Sequence, residues 1–405
     1  MPASHHLFRY AIAAVIVMVL GGLLGWYVFV RSQVAATQAN DSARGFGTAA
    51  SFGSPAGSTY TNSAGSVPSA DIQSASGNPA PRLWKVTATP VAGAGFAASS
   101  TQLYFAERSS GNVLLADPSV SSVTRLTNTL FPKVYDALFA SDGSVLLRSA
   151  TDAGIVTTYA GTISTTTAEG PVPLAGTYLP QHIKAVSVRS PQQLFFLVAA
   201  PTGGTAGVTA NWKGASQKPV FASTLQQWRV WWLSDGRMYV AQQPSDGIMG
   251  YAFTLKGGAL QSLVSAAGLS ILPRTGSTAL IYSSSAGGVN LFGQTSASTT
   301  PVRFTVRTLA EKCVWAPGKD LVAYCAVPQV LPTRAGYMEE WYRGAAHTSD
   351  AWWKVDVSAG TAQNLFTPDS GTSFDVEHPA IDGNGSYIAF MNAADKSLWM
   401  LRITP

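Results

Sequence analysis

Charged residues and cysteines are scarce in this sequence. Lys, Arg, Asp and Glu together make up 12% of the 405 residues, against 46% hydrophobic residues, and there are two cysteines. The net charge of +5 comes without the Lys/Arg-rich run that marks a nucleic-acid-binding patch. The five histidines show none of the CxxC, HxxxH or HExxH spacings of metal sites. We therefore expect no nucleic-acid partner, no metal and no cofactor.

One long uncharged run lies near the N-terminus, from Tyr10 to Val30. About 20 apolar residues suffice to cross roughly 30 Å of hydrocarbon as a helix. We expect residues 1–9 to be a short cytoplasmic N-terminus and residues 10–30 to be a single transmembrane helix in the lipid bilayer. Such a signal anchor places the rest of the chain outside the cytoplasm. A cleaved signal peptide is the alternative, although its apolar core is normally shorter, at about 7–15 residues.

A low-complexity stretch follows, over residues 31–82. It consists mostly of Ala, Ser, Gly, Thr and Asn and contains few large apolar side chains. Such a composition buries too little surface to offset the entropy lost on ordering. We expect a flexible stalk that holds the next domain clear of the membrane.

A repeated pattern of two strands around a polar turn occupies the rest of the chain. It appears as GFAASSTQLYFAE from Gly95, as LFASDGSVLLRSA from Leu138 and as VWAPGKDLVAYCA from Val314. Seven copies recur with a period of about 40 to 50 residues, which is typical of propeller blades. Their equivalent positions are Phe96, Phe139, Val188, Trp232, Leu272, Trp315 and Ile381.

The last copy ends with its third strand, at the C-terminus. The segment LWKVT, from Leu83 to Thr87, precedes the first copy and has no blade of its own. It can supply the missing fourth strand and so protect an open sheet edge. We therefore predict an all-β domain over residues 83–405, a seven-bladed β-propeller of four-stranded antiparallel blades.

The copy WAPGKDLVAYCAVP and its sister copies resemble the S-P-D-G-x-x-[IV]-A-Y repeat of TolB-like, WD40-like propellers. The similarity extends over residues 83–405, and the sixth copy with its surroundings also resembles bacterial membrane-anchored propellers. The resemblance implies the propeller fold, since the motif encodes turns and strand packing. It transfers no functional residue, because propellers include both binders and enzymes.

The two cysteines flank one turn of the sixth copy. If that turn centres on Lys319, Cys313 and Cys325 lie directly opposite each other on antiparallel strands, close enough for a disulfide. An oxidising compartment outside the cytosol favours the bridge. Two buried free thiols are the alternative.

The sixth copy is also longer than the others. Between its second and third strands lies the insertion QVLPTRAGYMEEWYRGAAHTSD, on the same face of a propeller as the blade-to-blade connections. Clustered aromatic and charged side chains suit recognition of glycans or peptides. The alternative is a loop whose aromatic residues merely cover the propeller face. The candidate binding residues are Tyr337, Glu339, Trp341, Tyr342 and Asp350.

The blade-to-blade connections should gather further polar residues at that face, namely Asp136, His182, Lys184, Arg229, Glu311, Asp375, Glu377 and His378. Glu377 and His378 form an acid–His pair, but consecutive residues of a strand point to opposite sides. A G-x-S-x-G nucleophile elbow is missing. The sequence thus predicts no catalytic residue.

These observations favour a non-enzymatic, extracytoplasmic interaction module that binds an envelope protein or glycan at the cell membrane. An envelope hydrolase or lyase acting on glycans or peptides is the main alternative. A scaffold that assembles through its transmembrane helix is a third.

Overall fold

The computed structural model of the chain describes residues 76–164, 170–189, 191–201, 203–332 and 336–404. In this part of the chain, 28 strands form seven antiparallel sheets of four strands each. The sheets are the blades of a seven-bladed β-propeller, as the repeats predicted.

Blades 1 to 4 follow one another along the chain, each with its strands in sequence order. Their strands are β2 (Val91–Phe96), β3 (Leu103–Glu107), β4 (Val113–Asp117) and β5 (Ser122–Arg125); β6 (Val134–Phe139), β7 (Ser144–Ala150), β8 (Val156–Thr162) and β9 (Ala175–Tyr178); β10 (Ala185–Arg189), β11 (Gln193–Ala199), β12 (Thr205–Asn211) and β13 (Lys218–Ser223); and β14 (Trp228–Trp232), β15 (Met238–Gln242), β16 (Met249–Lys256) and β17 (Ala259–Ala267).

Blades 5 to 7 complete the ring, and blade 7 takes its fourth strand, β1, from the start of the domain. Their strands are β18 (Ser270–Pro273), β19 (Leu280–Ser284), β20 (Asn290–Gln294) and β21 (Val302–Arg303); β22 (Cys313–Trp315), β23 (Val322–Pro328), β24 (Asp350–Asp356) and β25 (Thr361–Phe366); and β26 (Val376–Ile381), β27 (Tyr387–Asn392), β28 (Leu398–Arg402) and β1 (Leu83–Thr87). A 3-10 turn (Ala310–Lys312) precedes β22, and the helix α1 (Tyr337–Tyr342) lies between β23 and β24.

Ring closure occurs by pairing of β1 with β28. Trp84 is opposite Met400 in this antiparallel pair, and Leu83 is opposite Leu401. Trp84 is largely buried and Val86 is fully buried. The prediction that LWKVT closes the ring is therefore confirmed.

The predicted membrane helix, residues 10–30, lies outside the described residues, as does the stalk up to residue 75. In the part of the chain that is described, no helix is long and apolar enough to span a membrane. The end of the predicted stalk contacts blade 1: the N–H of Ser76 donates to the Val120 carbonyl at 3.0 Å, and that of Ala80 to Pro118 at 2.8 Å. Contacts of the propeller thus begin before Leu83.

Short Asp-Gly turns connect the first two strands in several blades. In blade 2, Asp142 Oδ1 accepts a hydrogen bond from the N–H of Ser144 at 3.0 Å, and Gly143 has φ 81°. Asp235 and Gly236 repeat this arrangement in blade 4, where the glycine has φ 91°. Because L-residues rarely adopt such φ values, the glycines allow turns of minimal length.

The core consists of seven apolar clusters, each between two neighbouring blades. The contact of blades 2 and 3 buries Leu146 against Leu194 and Phe196. Between blades 1 and 2 the first strands approach so closely that a Cβ on Gly93 would lie 2.0 Å from the Ala137 carbonyl oxygen. The blades therefore have no separate cores, and each is stabilised by its neighbours.

Cys313 and Cys325 form a disulfide in blade 6. They are directly opposite in the β22–β23 pair, with a Cα–Cα distance of 4.0 Å, and both are buried. The turn between the strands centres on Lys319, as the sequence indicated. The disulfide prediction is confirmed.

Because each blade is an antiparallel meander, its loops alternate between the two faces of the ring. One face carries the connections between blades and the loops between the second and third strands; we call it the connection face. The parts of the blade-6 insertion that belong to the propeller, residues 329–332, 336–339 and 347–349, lie there as predicted. By its contacts, the segment Glu340–Ala346 is a unit separate from the propeller.

The closing strand gives a first testable prediction. Deleting residues 1–87 should lower the free energy of unfolding by about 4 kcal/mol or more, because it removes the buried side chains of Trp84 and Val86, at about 2–5 kcal/mol each, and exposes the edge of β28. Deleting residues 1–75 keeps every strand and should change little. Chemical unfolding of both truncations checks this, and equal stability would show that β1 does not close the ring.

Candidate functional site

The blade-6 insertion begins against the propeller through apolar contacts. Tyr337 is about 95% buried and Met338 is fully buried. The space beneath this part of the insertion is a cavity of only about 10 Å³, lined by Leu309, Pro328 and Tyr337 among others. Tyr337, predicted as a binding residue, is thus a packing residue of the insertion.

The insertion also binds the loop between β15 and β16 of blade 4. Glu339 Oε1 accepts hydrogen bonds from Ser245 Oγ at 2.8 Å and from the N–H of Asp246. In return, Asp246 Oδ2 accepts a hydrogen bond from the N–H of Gly336 at 2.8 Å. The insertion of blade 6 therefore reaches blade 4, and Glu339, a second predicted binding residue, fastens it there.

A buried charge cluster holds the base of the insertion. Lys312 Nζ donates to Asp350 Oδ2 at 2.7 Å, to Asp375 Oδ1 at 2.5 Å and to Thr348 Oγ1 at 2.7 Å. The side chains of Lys312, Asp350 and Asp375 are at most 1% exposed. His347, with 37% of its side chain exposed, places Nδ1 3.0 Å from Asp375 Oδ2. Predicted as a binding residue, Asp350 is therefore an internal ion-pair partner.

The geometry of the cluster determines which groups stay charged. Burial disfavours the Lys312 ammonium ion, but the charges of Asp350 and Asp375 outweigh it and raise the pKa of Lys312. Burial raises the pKa of Tyr337 to about 12, with Lys312 opposing this and the two aspartates adding to it. At neutral pH the cluster therefore contains a charged lysine beside a neutral phenol.

Other predicted residues of the connection face also meet across blades. Arg229, in blade 4, forms an ion pair with Glu311 at the entry to blade 6. Between them, Ser270 of blade 5 donates its hydroxyl to Glu311 at 2.8 Å. In blade 2, Asp136 pairs with Arg148 at 2.8 Å. Of the residues that the sequence grouped on one face, Arg229 and Glu311 thus join two blades, whereas Asp136 is paired within its own blade.

The geometry around Glu377 and His378 differs from the expected regular strand. The pairing of β26 with β27 shifts register between Glu377 and Ala380, and His378 has φ 49°. The alternation rule therefore does not apply to this pair. Glu377 is bound by Lys396, with both carboxylate oxygens 2.9 Å from Nζ.

The segment Glu340–Ala346 carries the two remaining predicted binding residues. The rings of Trp341 and Tyr342 lie edge to face, with centroids 5.2 Å apart and an interplanar angle of 71°. The N–H of Gly344 donates to the Trp341 carbonyl at 2.9 Å and ends the helix.

Lys312, Thr348 and His347 were missed by the sequence analysis. Lys312 and Asp375 are separated by the whole of blade 6, and no local pattern relates them. A signal does exist in retrospect: Lys312 and Asp375 each occupy the position directly before the first strand of a blade, and that strand begins with a buried residue. In an apolar environment, an isolated charge at such a position requires a partner.

Comparison with known proteins identifies the fold and no family. No protein-family model and no curated protein matches the sequence. The oligogalacturonate lyase of Vibrio parahaemolyticus aligns with a TM-score of 0.53 at 11% identity, over 79% of this chain and 93% of that one. The β-propeller domain of the Trilobed protease of Pyrococcus furiosus aligns with a TM-score of 0.50 at 7% identity, over 78% of this chain and 98% of that one. Similarity at such low identity shows the propeller fold alone.

Ring closure separates this chain from the second of these structures. The Pyrococcus furiosus domain is described as having an open velcro topology. Here β1 pairs with β28, so the first strand of the domain completes the last blade.

The charge cluster predicts a loss of stability at alkaline pH. The contribution of Lys312 is complete below pH 10.5, its unfolded pKa, and is lost as the pH rises through its raised pKa. The neutral phenol of Tyr337 contributes fully below pH 10 and loses this contribution between pH 10 and about 12. In Tyr337→Phe, the free energy of unfolding should therefore fall less steeply over that interval than in the wild type.

Urea unfolding at pH 8 to 12 measures this difference. The exposed Tyr251 offers a matched control, since Tyr251→Phe should keep the wild-type slope. An identical alkaline slope in Tyr337→Phe would show that the phenol is not held neutral by burial.

Proposed function

We propose that this chain is a membrane-anchored, extracytoplasmic propeller of the TolB-like, WD40-like kind and an interaction module of the cell envelope. It binds an envelope protein or glycan through the blade-6 insertion. The observation that carries the proposal is that insertion: it interrupts an otherwise regular blade, and it is fastened at its base by Lys312 and at its far side by Glu339.

The insertion is held to the propeller at two points, which favours a role in recognition over that of a simple connection between two strands. A connector between two antiparallel strands needs only a few residues. A loop fixed on a rigid scaffold presents its side chains in one arrangement, which reduces the entropy lost on binding. Because Tyr337, Glu339 and Asp350 are engaged internally, they hold the insertion rather than contact a ligand.

Trp341 and Tyr342 are the residues to which we assign the contact. Their adjacent rings suit the apolar faces of sugars and of peptide side chains, and Trp and Tyr commonly dominate binding energy.

The anchor and the compartment rest on two separate observations. The uncharged run of residues 10–30 is long enough to span a bilayer as a helix. The disulfide between Cys313 and Cys325 suits an oxidising compartment such as the cell exterior or the periplasm. Together they support a single-pass anchor with the propeller outside the cytoplasm.

The alternative is an envelope hydrolase or lyase acting on glycans or peptides. The specific observation in its favour is His347, whose partly exposed ring is oriented by the buried Asp375. A histidine held in this way suits a general base. An enzyme would release fragments from its polymer and lose this activity in His347→Gln, whereas a binding module would retain its ligand unaltered.

The aromatic pair gives a prediction on binding. The double change Trp341→Ala and Tyr342→Ala should weaken partner binding roughly tenfold or more, since an anchoring aromatic contributes about 1–3 kcal/mol. Partner captured from solubilised native envelopes, quantified against wild type, measures the loss. Tyr251→Ala removes an exposed ring from β16 and should bind as the wild type does.

Two results would contradict this assignment. If the double variant melts at a markedly lower temperature, the rings belong to the folded core. If it stays folded and captures the same partner equally well, the contact lies elsewhere on the propeller.

The anchor gives a prediction on topology. Protease added to intact cells should release a soluble propeller by cutting between Ser32 and Gln73, because that stretch is predicted to be exposed and flexible. Immunoblotting of the supernatant checks this. A fragment that stays protected until the cells are lysed would place the domain inside, and a mature chain already soluble without protease would exclude the anchor.

A further inference from the structure

A second pocket lies on the connection face, between blades 1 and 2. It is open, has a volume of about 300 Å³, and is lined by Pro90, Arg108, Ser109, Pro132 and Lys133. These residues come from three connections that meet there: the entry to β2, the β3–β4 loop and the entry to β6. Its volume is at the lower end for ligand pockets and suits one sugar or amino-acid residue.

Arg108 is the unusual member of this pocket. Its side chain is partly buried, and among the described residues its guanidinium group makes no hydrogen bond and no ion pair. Burial lowers the pKa of Arg108, which the charges of Glu377 and Asp136 partly oppose. A cation in such a position lacks both full hydration and a fixed partner.

The nearby acids do not supply that partner. Glu377 is bound through both oxygens to Lys396, and Asp136 is bound to Arg148. Both carboxylates attract Arg108 through space, but their hydrogen bonds go to Lys396 and Arg148. An anion entering the pocket would find a guanidinium group ready for a bidentate hydrogen bond.

Lys133 provides a second cation at the rim. It pairs with Asp152, whose side chain is 93% exposed. Because a solvent-exposed ion pair of this kind contributes only about 0–1 kcal/mol, the ammonium group can change partners at little cost. The backbone at Lys133 has φ 58°, an uncommon conformation for a lysine, at the edge of the pocket.

The backbone of the pocket distinguishes between classes of ligand. Pro90 and Pro132 have no N–H, the N–H of Arg108 donates to the Pro90 carbonyl, and the Arg108 carbonyl accepts from Val134. An extended peptide normally binds through main-chain hydrogen bonds, and here it would find few partners beyond the backbone of Ser109 and Lys133 and the Pro132 carbonyl. Proline rings do suit the apolar face of a sugar ring, and the Ser109 hydroxyl and the Lys133 ammonium group suit its hydroxyls.

We propose that this pocket binds the carboxylate-bearing residue of an acidic glycan, with Arg108 holding the carboxylate and Lys133 and Ser109 its hydroxyl groups. The site is separate from the aromatic pair of the blade-6 insertion. The proposal therefore stands or falls independently of the partner assigned to that insertion.

The test compares an acidic sugar with its neutral counterpart. The full-length protein in detergent is titrated with methyl glucuronide and with methyl glucoside, using saturation-transfer NMR and calorimetry. We expect the glucuronide to bind and the glucoside to bind at least tenfold more weakly. Arg108→Gln should weaken glucuronide binding about tenfold or more, as loss of a charged bidentate contact does. Arg108→Lys should fall between the two.

A matched control and three outcomes complete the test. Lys319→Gln makes the same change of charge at an exposed turn on the opposite face and should bind as the wild type does. Unchanged glucuronide binding in a folded Arg108→Gln variant would overturn the proposal. Tighter binding of an N-acetylated tripeptide with a free carboxylate would overturn it in favour of a peptide site. Equal binding of acetate or inorganic phosphate would reduce the pocket to a site for simple anions and overturn it as well.

Discussion

The apolar contact between neighbouring blades is the interaction on which the rest of the structure depends. Each of the seven core clusters is shared by two blades, so a blade removed from the ring would expose both its faces. The cluster between blades 7 and 1 includes Trp84 and Val86 of the closing strand together with Leu398 and Met400 of β28. Closure by β1 therefore completes a sheet and an inter-blade core at the same time.

Polar contacts then fix the arrangement of the connection face without supplying much of its stability. A buried ion cluster such as Lys312 with Asp350 and Asp375 loses in desolvation much of what it gains in Coulomb energy. Its effect is on the geometry of the site. Each buried carboxylate oxygen needs a hydrogen-bond donor, so these side chains have few alternative positions. Asp350 is the first residue of β24, and Asp375 directly precedes β26. By binding both carboxylates, Lys312 fixes the positions of these two strand starts relative to the base of the insertion.

The fold was predictable because its signals are local and repeated. A polar turn between two apolar strands is visible in seven copies, and their period gives the blades. The Cys313–Cys325 pairing followed from the same register, since both residues are equally far from Lys319. The face of the insertion followed from antiparallel topology alone.

The site was only partly predictable because its contacts join residues distant in sequence. Glu339 and Asp350 were selected as charged residues of an insertion, and that pattern contains no information on burial. Their partners are Ser245 in blade 4 and Lys312 at the start of blade 6, which the sequence does not relate to them. For Arg108 the informative feature is that its guanidinium group forms no hydrogen bond with Glu377 or Asp136, which bind Lys396 and Arg148 instead. The sequence does not show where these two carboxylates lie.

The two faces of the ring differ in what they offer for recognition. Where Asp-Gly turns join the first two strands, as at Asp142 and Asp235, the opposite face has short turns. Side chains of these turns also contact the next blade, since Asp235 Oδ2 accepts a hydrogen bond from the N–H of Gly276 at 2.6 Å. The connection face has longer segments, and their side chains reach across blade boundaries, as the pair Arg229–Glu311 does. Because the longer segments of the ring lie on the connection face, the space that they enclose also lies there, as in the Arg108 pocket.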